Sequence, residues 1–91
     1  MGKAIIYLAD GTEECEALLC ADLLRRAGAE VVLAAVGGRR EIVSSHGVAI
    51  RADALAEEAD IAGTDLLILP GGWPGTKHLE DCPAVREAIL A

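Results

Sequence analysis

The sequence predicts an α/β protein built on a parallel sheet. Two runs, Lys3 to Ala9 and Ala29 to Val36, are apolar nearly throughout, as expected of strands covered on both faces. Helical spacing fills the stretch between them, and a third apolar run, Asp65 to Leu69, recurs further along. Strand, helix and strand in succession form the unit that sets parallel strands side by side.

The elements follow in order. Lys3 to Ala9 ends at Asp10-Gly11-Thr12, a tight turn, after which helical spacing continues to Gly28, a residue suited to close a helix. The second strand, Ala29 to Val36, is stopped by Gly37-Gly38. Arg39 to Val43 and Val48 to Arg51 flank Ser44-Ser45-His46-Gly47 and read as a short hairpin or meander inserted at the edge. Asp53 to Ala59 reads as a short helix. Asp65 to Leu69 reads as a strongly buried strand that runs into Pro70-Gly71-Gly72-Trp73-Pro74-Gly75. The last segment takes Asp81 or Cys82 as N-cap and Pro83 near the first helical position, and is helical to Ala91. No repeat, low-complexity tract or linker divides the chain.

Composition narrows the function classes. Ninety-one residues make one small domain, 53% hydrophobic but with no Phe, one Trp and one Tyr, so the core must come from Ala, Val, Ile and Leu. That excludes a disordered acidic tail. Eight Lys and Arg against 15 Asp and Glu give a net charge of −7, which argues against nucleic acid as a partner. The apolar runs fall far short of the roughly 20 residues of a membrane span. No hydrophobic leader precedes Asp10 and Glu13, so a cytoplasmic location is expected. Three cysteines without C-x-x-C spacing suit free thiols in a reducing compartment. No metal or cofactor is expected.

A strand as apolar as Leu66-Leu67-Ile68-Leu69 calls for helices on both faces and neighbours on both edges. The chain supplies three parallel strands and two full helices. It is therefore expected to be the N-terminal portion of something larger, completed by further sequence, a separate chain or a second copy.

Two features could carry chemistry. At about 100° per residue, Leu19, Cys20, Leu23 and Ala27 of the first helix fall within about 60° of one direction, and so does Glu16. Glu16 is thus expected to point into the buried stripe, where a carboxylate is costly unless protonated or hydrogen-bonded. Glu14 and Arg25 fall on the opposite side. The plainer alternative is that Glu16 reaches solvent or caps exposed N–H groups, while Glu13 and Glu14 match the helix dipole. The second feature is Gly71-Gly72 at the carboxyl end of a strand, where ligands sit in open α/β sheets. Paired glycines can aim two N–H groups at one point, as an oxyanion requires, or can simply make a tight turn. If the first and third apolar strands are adjacent and parallel, Glu16 and Gly71-Gly72 share one cleft.

The strand followed by Asp10-Gly11-Thr12-Glu13-Glu14-Cys15-Glu16, the helix end Asp22-Leu23-Leu24-Arg25-Arg26-Ala27-Gly28, the segment Ser44-Ser45-His46-Gly47-Val48 and Leu69-Pro70-Gly71-Gly72 together resemble the ThiJ/PfpI superfamily, within the class I glutamine amidotransferase-like proteins. The resemblance covers essentially the whole chain, in order and at compatible spacing. It implies a flavodoxin-like sandwich, here its N-terminal half, and a site pairing an elbow cysteine with a glutamate of the first helix. By position that glutamate is Glu16, and the backbone glycines that bind an oxyanion are Gly71 and Gly72. The elbow cysteine would lie roughly one strand beyond Gly72, past Ala91, and its histidine neighbour later still. Neither His46 nor His78 inherits that role, and Cys15, Cys20 and Cys82 are read as structural or incidental thiols. The superfamily implies glyoxalase- or deglycase-like chemistry on small carbonyl compounds, redox response through cysteine oxidation, or amide hydrolysis in other branches. It also implies a homodimer, with His46 at an edge turn or subunit contact.

By itself the chain is expected to show no cysteine-dependent catalysis. A structural alternative is a half-domain that assembles as a homo-oligomer or with a second chain. A phosphate site at Asp10-Gly11-Thr12 is disfavoured by three acidic residues in the turn that follows.

Overall fold

The computed structural model describes residues 2–90. A four-stranded sheet forms from β1 (Lys3–Leu8), β2 (Glu30–Ala35), β5 (Ala54–Leu55) and β6 (Leu66–Ile68), in the order β5-β2-β1-β6 and parallel throughout. Between β2 and β5, β3 (Glu41–Val43) and β4 (Ala49–Arg51) pair antiparallel as a separate two-stranded sheet. The helices are α1 (Glu14–Arg26), α2 (Gly75–Glu80) and α3 (Pro83–Leu90).

The apolar β1 sits at the centre because it is the strand covered on both faces. Ile5, Ile6, Tyr7 and Leu8 are all fully buried. Alternation along β1 divides them between two clusters. Ile6 and Leu8 pack with Leu33, with Ala17 and Ala21 of α1, and with Ile42 and Ile50 of the hairpin. Ile5 and Tyr7 pack with Ala34, Leu79 of α2, and Val85 and Ala88 of α3. The chain leaves β1 through α1 to β2 and β5 on one side, then crosses back to β6 on the other. The carboxyl ends of β1 and β6 therefore flank the topological switch point, where such sheets open a crevice.

The strands expected at both ends of α1 and the hairpin around residues 44–47 are observed. Gly28 follows the Ala27 cap, its N–H on the Arg25 carbonyl at 3.0 Å. Pro83 opens α3 directly after Cys82, while Ala91 lies outside the described residues. Two expectations are corrected. Residues 53–59 form no helix. Asp53 N–H donates to the Leu33 carbonyl and Ala56 N–H to the Ala35 carbonyl, at 2.8 and 2.7 Å, while the Asp53 carboxylate accepts from Leu33 N–H at 2.9 Å. Pairing with β2 thus overrides the helical propensity of Ala and Glu, and the sheet gains a fourth strand. A short helix, α2, occupies 75–80, a stretch to which the sequence reading assigns no element. Finally, among the described residues β6 pairs on one side only, with β1, and is half-exposed where a strongly buried strand was expected: Leu66 is 47% exposed and Leu69, just after it, 43%.

The face of α1 is also turned from its expected setting. Leu19 and Leu23 are 58% and 56% exposed and Ala27 is exposed, whereas Glu14, Ala17 and Ala21 are buried, with Cys20 and Leu24 partly so. Residues 14, 17, 21 and 24 make an equally regular helical stripe. Small side chains at 17 and 21 let the helix lie close on β1 and β2, and the bulkier leucines are left outside.

Candidate functional site

Two loops meet at the switch point. Residues 9–13 leave β1 in a turn closed by Thr12 N–H on the Ala9 carbonyl at 3.0 Å, while the buried Thr12 hydroxyl accepts Ala9 N–H at 2.9 Å. Glu13 then caps α1 by accepting the Cys15 N–H at 2.9 Å. The 69–75 turn after β6 lies directly against this first loop. A Cβ added to Gly72, whose φ is +99°, would stand 2.5 Å from the Glu13 nitrogen and 2.6 Å from the Gly11 carbonyl oxygen. Only glycine fits both the backbone angle and the approach.

Across this seam run two complementary hydrogen bonds. Glu13 N–H donates to the Gly71 carbonyl at 2.8 Å, and Gly71 N–H donates to Glu16 Oε1 at 2.7 Å. The structure therefore brings Glu16 and Gly71-Gly72 together at one end of the sheet. It corrects how Glu16 gets there: the residue is exposed rather than set in the buried stripe, and its carboxylate is oriented by the Gly71 amide. That hydrogen bond occupies the Gly71 N–H. Among the described residues, Gly72 N–H donates to no protein atom and Glu16 Oε2 accepts from none. Trp73, 71% exposed, follows on the rim.

The carboxylate that enters the buried stripe is Glu14, at 9% exposure. Its Oε1 accepts from the Ser44 hydroxyl at 2.7 Å and from His46 N–H at 3.2 Å, and its Oε2 lies 2.8 Å from His46 Nδ1. Hydrogen bonding, from the Ser44 hydroxyl first and then with Glu13 and His46, holds its carboxyl down at about 2. The spacing of Glu14 from Ala17 and Ala21 carried this signal, but weighting the stripe by the large leucines hid it. Glu13, Glu14 and His46 converge closely enough to suggest a metal site. Their atoms are engaged with one another and with Ser44, so the group is an ion-paired knot.

The three thiols sit in different settings. Cys15 is exposed, and its thiol is pushed up, first by the charge of Glu13, then by desolvation and Glu14. Cys20 is half-buried against the α1 core. Cys82 is buried in the second cluster, beside a cleft of about 240 Å³ lined by Asp10, Arg39, His78 and Asp81 among others. Tyr7 lies in the same cluster; among the described residues its buried hydroxyl has no partner, and its pKa is raised by burial first and then by the charge of Cys82. No helix among the described residues is long and apolar enough to cross a membrane.

A parallel sheet with a glutamate of the first helix hydrogen-bonded to a strand-end diglycine defines an α/β protein whose candidate site lies at the switch point of the sheet. The profile of the DJ-1/PfpI family matches residues 2–90, and the chain belongs to that family. It is 38% identical over 88 residues to the Parkinson disease protein 7 homolog of Danio rerio, covering 96% of this chain and 47% of that protein. It is 33% identical over 89 residues to a Caenorhabditis elegans protein named glutathione-independent glyoxalase DJR-1.2, covering 96% and 46%. Among solved structures, oxidized Toxoplasma gondii DJ-1 superposes with a TM-score of 0.95 at 36% identity, over 99% of this chain and 49% of that one. The chain thus spans about half the length of these relatives.

Proposed function

We propose that this chain supplies the glutamate and the diglycine turn of a DJ-1/PfpI-type cysteine-dependent site, glyoxalase- or deglycase-like or redox-responsive, acting on a small carbonyl-type substrate. The nucleophilic thiol comes from sequence outside these 91 residues, in a C-terminal half carried on the same or a separate chain. The observation that carries this reading is the 2.7 Å hydrogen bond from Gly71 N–H to Glu16 Oε1 at the switch point of the sheet.

The chemistry follows from which atoms are already engaged. With Oε1 held by Gly71, Oε2 is left to carry a proton toward an adjacent sulfur. A hydrogen bond donated there favours the thiolate without placing two negative charges together. Gly71 positions the acid, and the uncommitted Gly72 N–H is the candidate donor to a developing oxyanion.

Methylglyoxal consumption tests this with the chain alone and with a complementing C-terminal half. The chain alone is expected to be inactive, and the complemented protein active in a manner lost on Glu16→Gln. Turnover by the chain alone, or complemented activity indifferent to Glu16→Gln, would contradict the assignment.

A second reading, a non-catalytic half-domain assembling as a homodimer or with another chain, is favoured by the exposed Leu19 and Leu23 of α1 and Leu66 of β6. Light scattering decides it: a monomer at micromolar concentration counts against self-assembly.

A further inference from the structure

We infer that Cys82 is a thiol oxidised by hydrogen peroxide, its sulfenic acid held by the buried hydroxyl of Tyr7, at a place apart from the Glu16–Gly71 seam. Cys82 joins α2 to α3 and is only 8% exposed, yet it lines the cleft of about 240 Å³ that Asp10, Arg39, His78 and Asp81 also border. Tyr7 is fully buried in the same cluster, and among the described residues its hydroxyl has no protein partner. Burial first and then the charge of Cys82 raise the Tyr7 pKa, so hydroxyl and thiol stand within electrostatic reach although no hydrogen bond joins them. A hydrogen-bonding group left unmatched in the interior is costly. One oxygen added to the Cys82 sulfur supplies the acceptor that the phenol lacks, so oxidation relieves a cost the reduced protein carries.

The cleft suits a small uncharged oxidant. Arg39 is bound by Asp10 at 2.8 Å and Asp81 by Lys77 at 3.2 Å, so its charged groups already answer one another and offer no unpaired charge to an ion. A water takes about 30 Å³, and hydrogen peroxide, at about twice that, enters easily. The sulfur attacks one peroxide oxygen; the S–O bond forms as the O–O bond breaks, and the thiol proton leaves with the departing hydroxide as water. Sulfur loses two electrons and the peroxide gains them.

Topology keeps the product from going further. A sulfenic acid ordinarily condenses with a nearby thiol. Cys15 and Cys20 belong to α1, which packs on the face of the sheet that carries Ile6 and Leu8, whereas Cys82 packs on the face that carries Ile5 and Tyr7. The sheet therefore stands between Cys82 and the other two sulfurs, and the sulfenic acid accumulates instead of passing to a disulfide within the chain. Cys15, though exposed, competes poorly: the charge of Glu13, then desolvation and Glu14, push its thiol up and thin out the reactive thiolate. Neither Glu16 nor an elbow cysteine takes part, so this site stands or falls independently of the function proposed above.

Treatment of the 91-residue chain with hydrogen peroxide, followed by dimedone trapping and peptide mapping, tests the site alongside Cys82→Ser and Tyr7→Phe. The adduct is expected at Cys82 ahead of Cys15 and Cys20. The sulfenic acid should decay about two- to tenfold faster in Tyr7→Phe, the range one hydrogen bond supplies. Tyr7 is the single tyrosine of the chain, so the near-UV tyrosine band should shift on oxidation of the wild type and stay put in Cys82→Ser. Trapping at Cys15 or Cys20 in place of Cys82 overturns the proposal, as does a Cys82 sulfenic acid that decays at the same rate in Tyr7→Phe, or a tyrosine band that oxidation leaves unmoved.

Discussion

Replacing Gly72 by alanine probes the seam on which the site depends. The residue has a φ of +99°, and its missing Cβ would lie 2.5 Å from the Glu13 nitrogen and 2.6 Å from the Gly11 oxygen. A left-handed conformation costs a residue with a Cβ about 1–2 kcal/mol. Both obstructing atoms are backbone, fixed by the turn after β1 and by the first turn of α1, so neither can rotate away. Such overpacking adds about 1–3 kcal/mol. The expected destabilisation is about 2–5 kcal/mol, a large part of the roughly 5–14 kcal/mol typical of a chain this long. Gly71→Ala is the built-in control. Gly71 is not among the residues of positive φ, and its Cβ would meet the Glu16 carboxylate at 2.9 Å, the far end of a flexible side chain. Its stability cost should stay below about 1 kcal/mol, since the side chain can move aside. The Glu16–Gly71 hydrogen bond should be lost, and with it the activity of a complemented protein. Urea melts with unchanged slope measure both variants. Gly72→Ala within about 0.5 kcal/mol of wild type, or Gly71→Ala costing more than Gly72→Ala, would refute the reasoning, given that substitutions without a structural mechanism usually fall inside that margin.

Other perturbations test the surroundings of the site. Tyr7→Phe removes a buried hydroxyl that has no partner among the described residues, so it should be neutral or stabilise by up to about 1 kcal/mol; a thermal melt showing a loss above that would reveal a missing hydrogen bond. Ser44→Ala leaves Glu14 and the Val48 N–H short of a partner and should cost about 1–3 kcal/mol at neutral pH in a denaturant melt. Because the Glu14 carboxyl is held down at about 2 from an ordinary 4.5, its contribution is present above 4.5 and lost as pH falls toward 2. The acid limb begins near the ordinary value in both proteins, so in Ser44→Ala it should be smaller and level off at higher pH, and a limb of unchanged size would show that the Ser44 hydroxyl is not what depresses Glu14. Asp53→Ala removes the acceptor of the Leu33 N–H and the partner of Arg25, at 2.9 and 3.1 Å. It should cost about 1 kcal/mol, with faster exchange of the Leu33 amide; an unchanged exchange rate would count against its role in fixing β5.

Much of the fold was legible because its signals are local. Apolar continuity in Lys3–Leu8 and Glu30–Ala35 marks strands covered on both faces, and Gly28 and Pro83 punctuate helices through their own backbone limits. Residues 53–59 misled because their Ala and Glu content favours a helix until a neighbouring strand offers better hydrogen bonds, and that neighbour lies some 20 residues back. The site was half legible in the same way. Glu16 and Gly71-Gly72 could be singled out by residue type and position, but the reason assigned to Glu16 was wrong, since it is held by an amide at the surface and not by a buried stripe. The Glu14–Ser44–His46 knot spans 30 and more residues, so the periodicity of α1 can mark Glu14 as inward-facing but not the partners it meets.

The sequence by itself determined the layered α/β class, the aliphatic core and the glycines that a left-handed turn demands, because these depend on side-chain chemistry and backbone freedom residue by residue. Only the tertiary structure decided which face of α1 is buried, and which glutamate pairs with a histidine and which with a glycine amide. Those outcomes depend on how closely one element can approach another. Here the small Ala17 and Ala21 allow contact with the sheet, turning Glu14 inward and leaving Glu16 to meet Gly71.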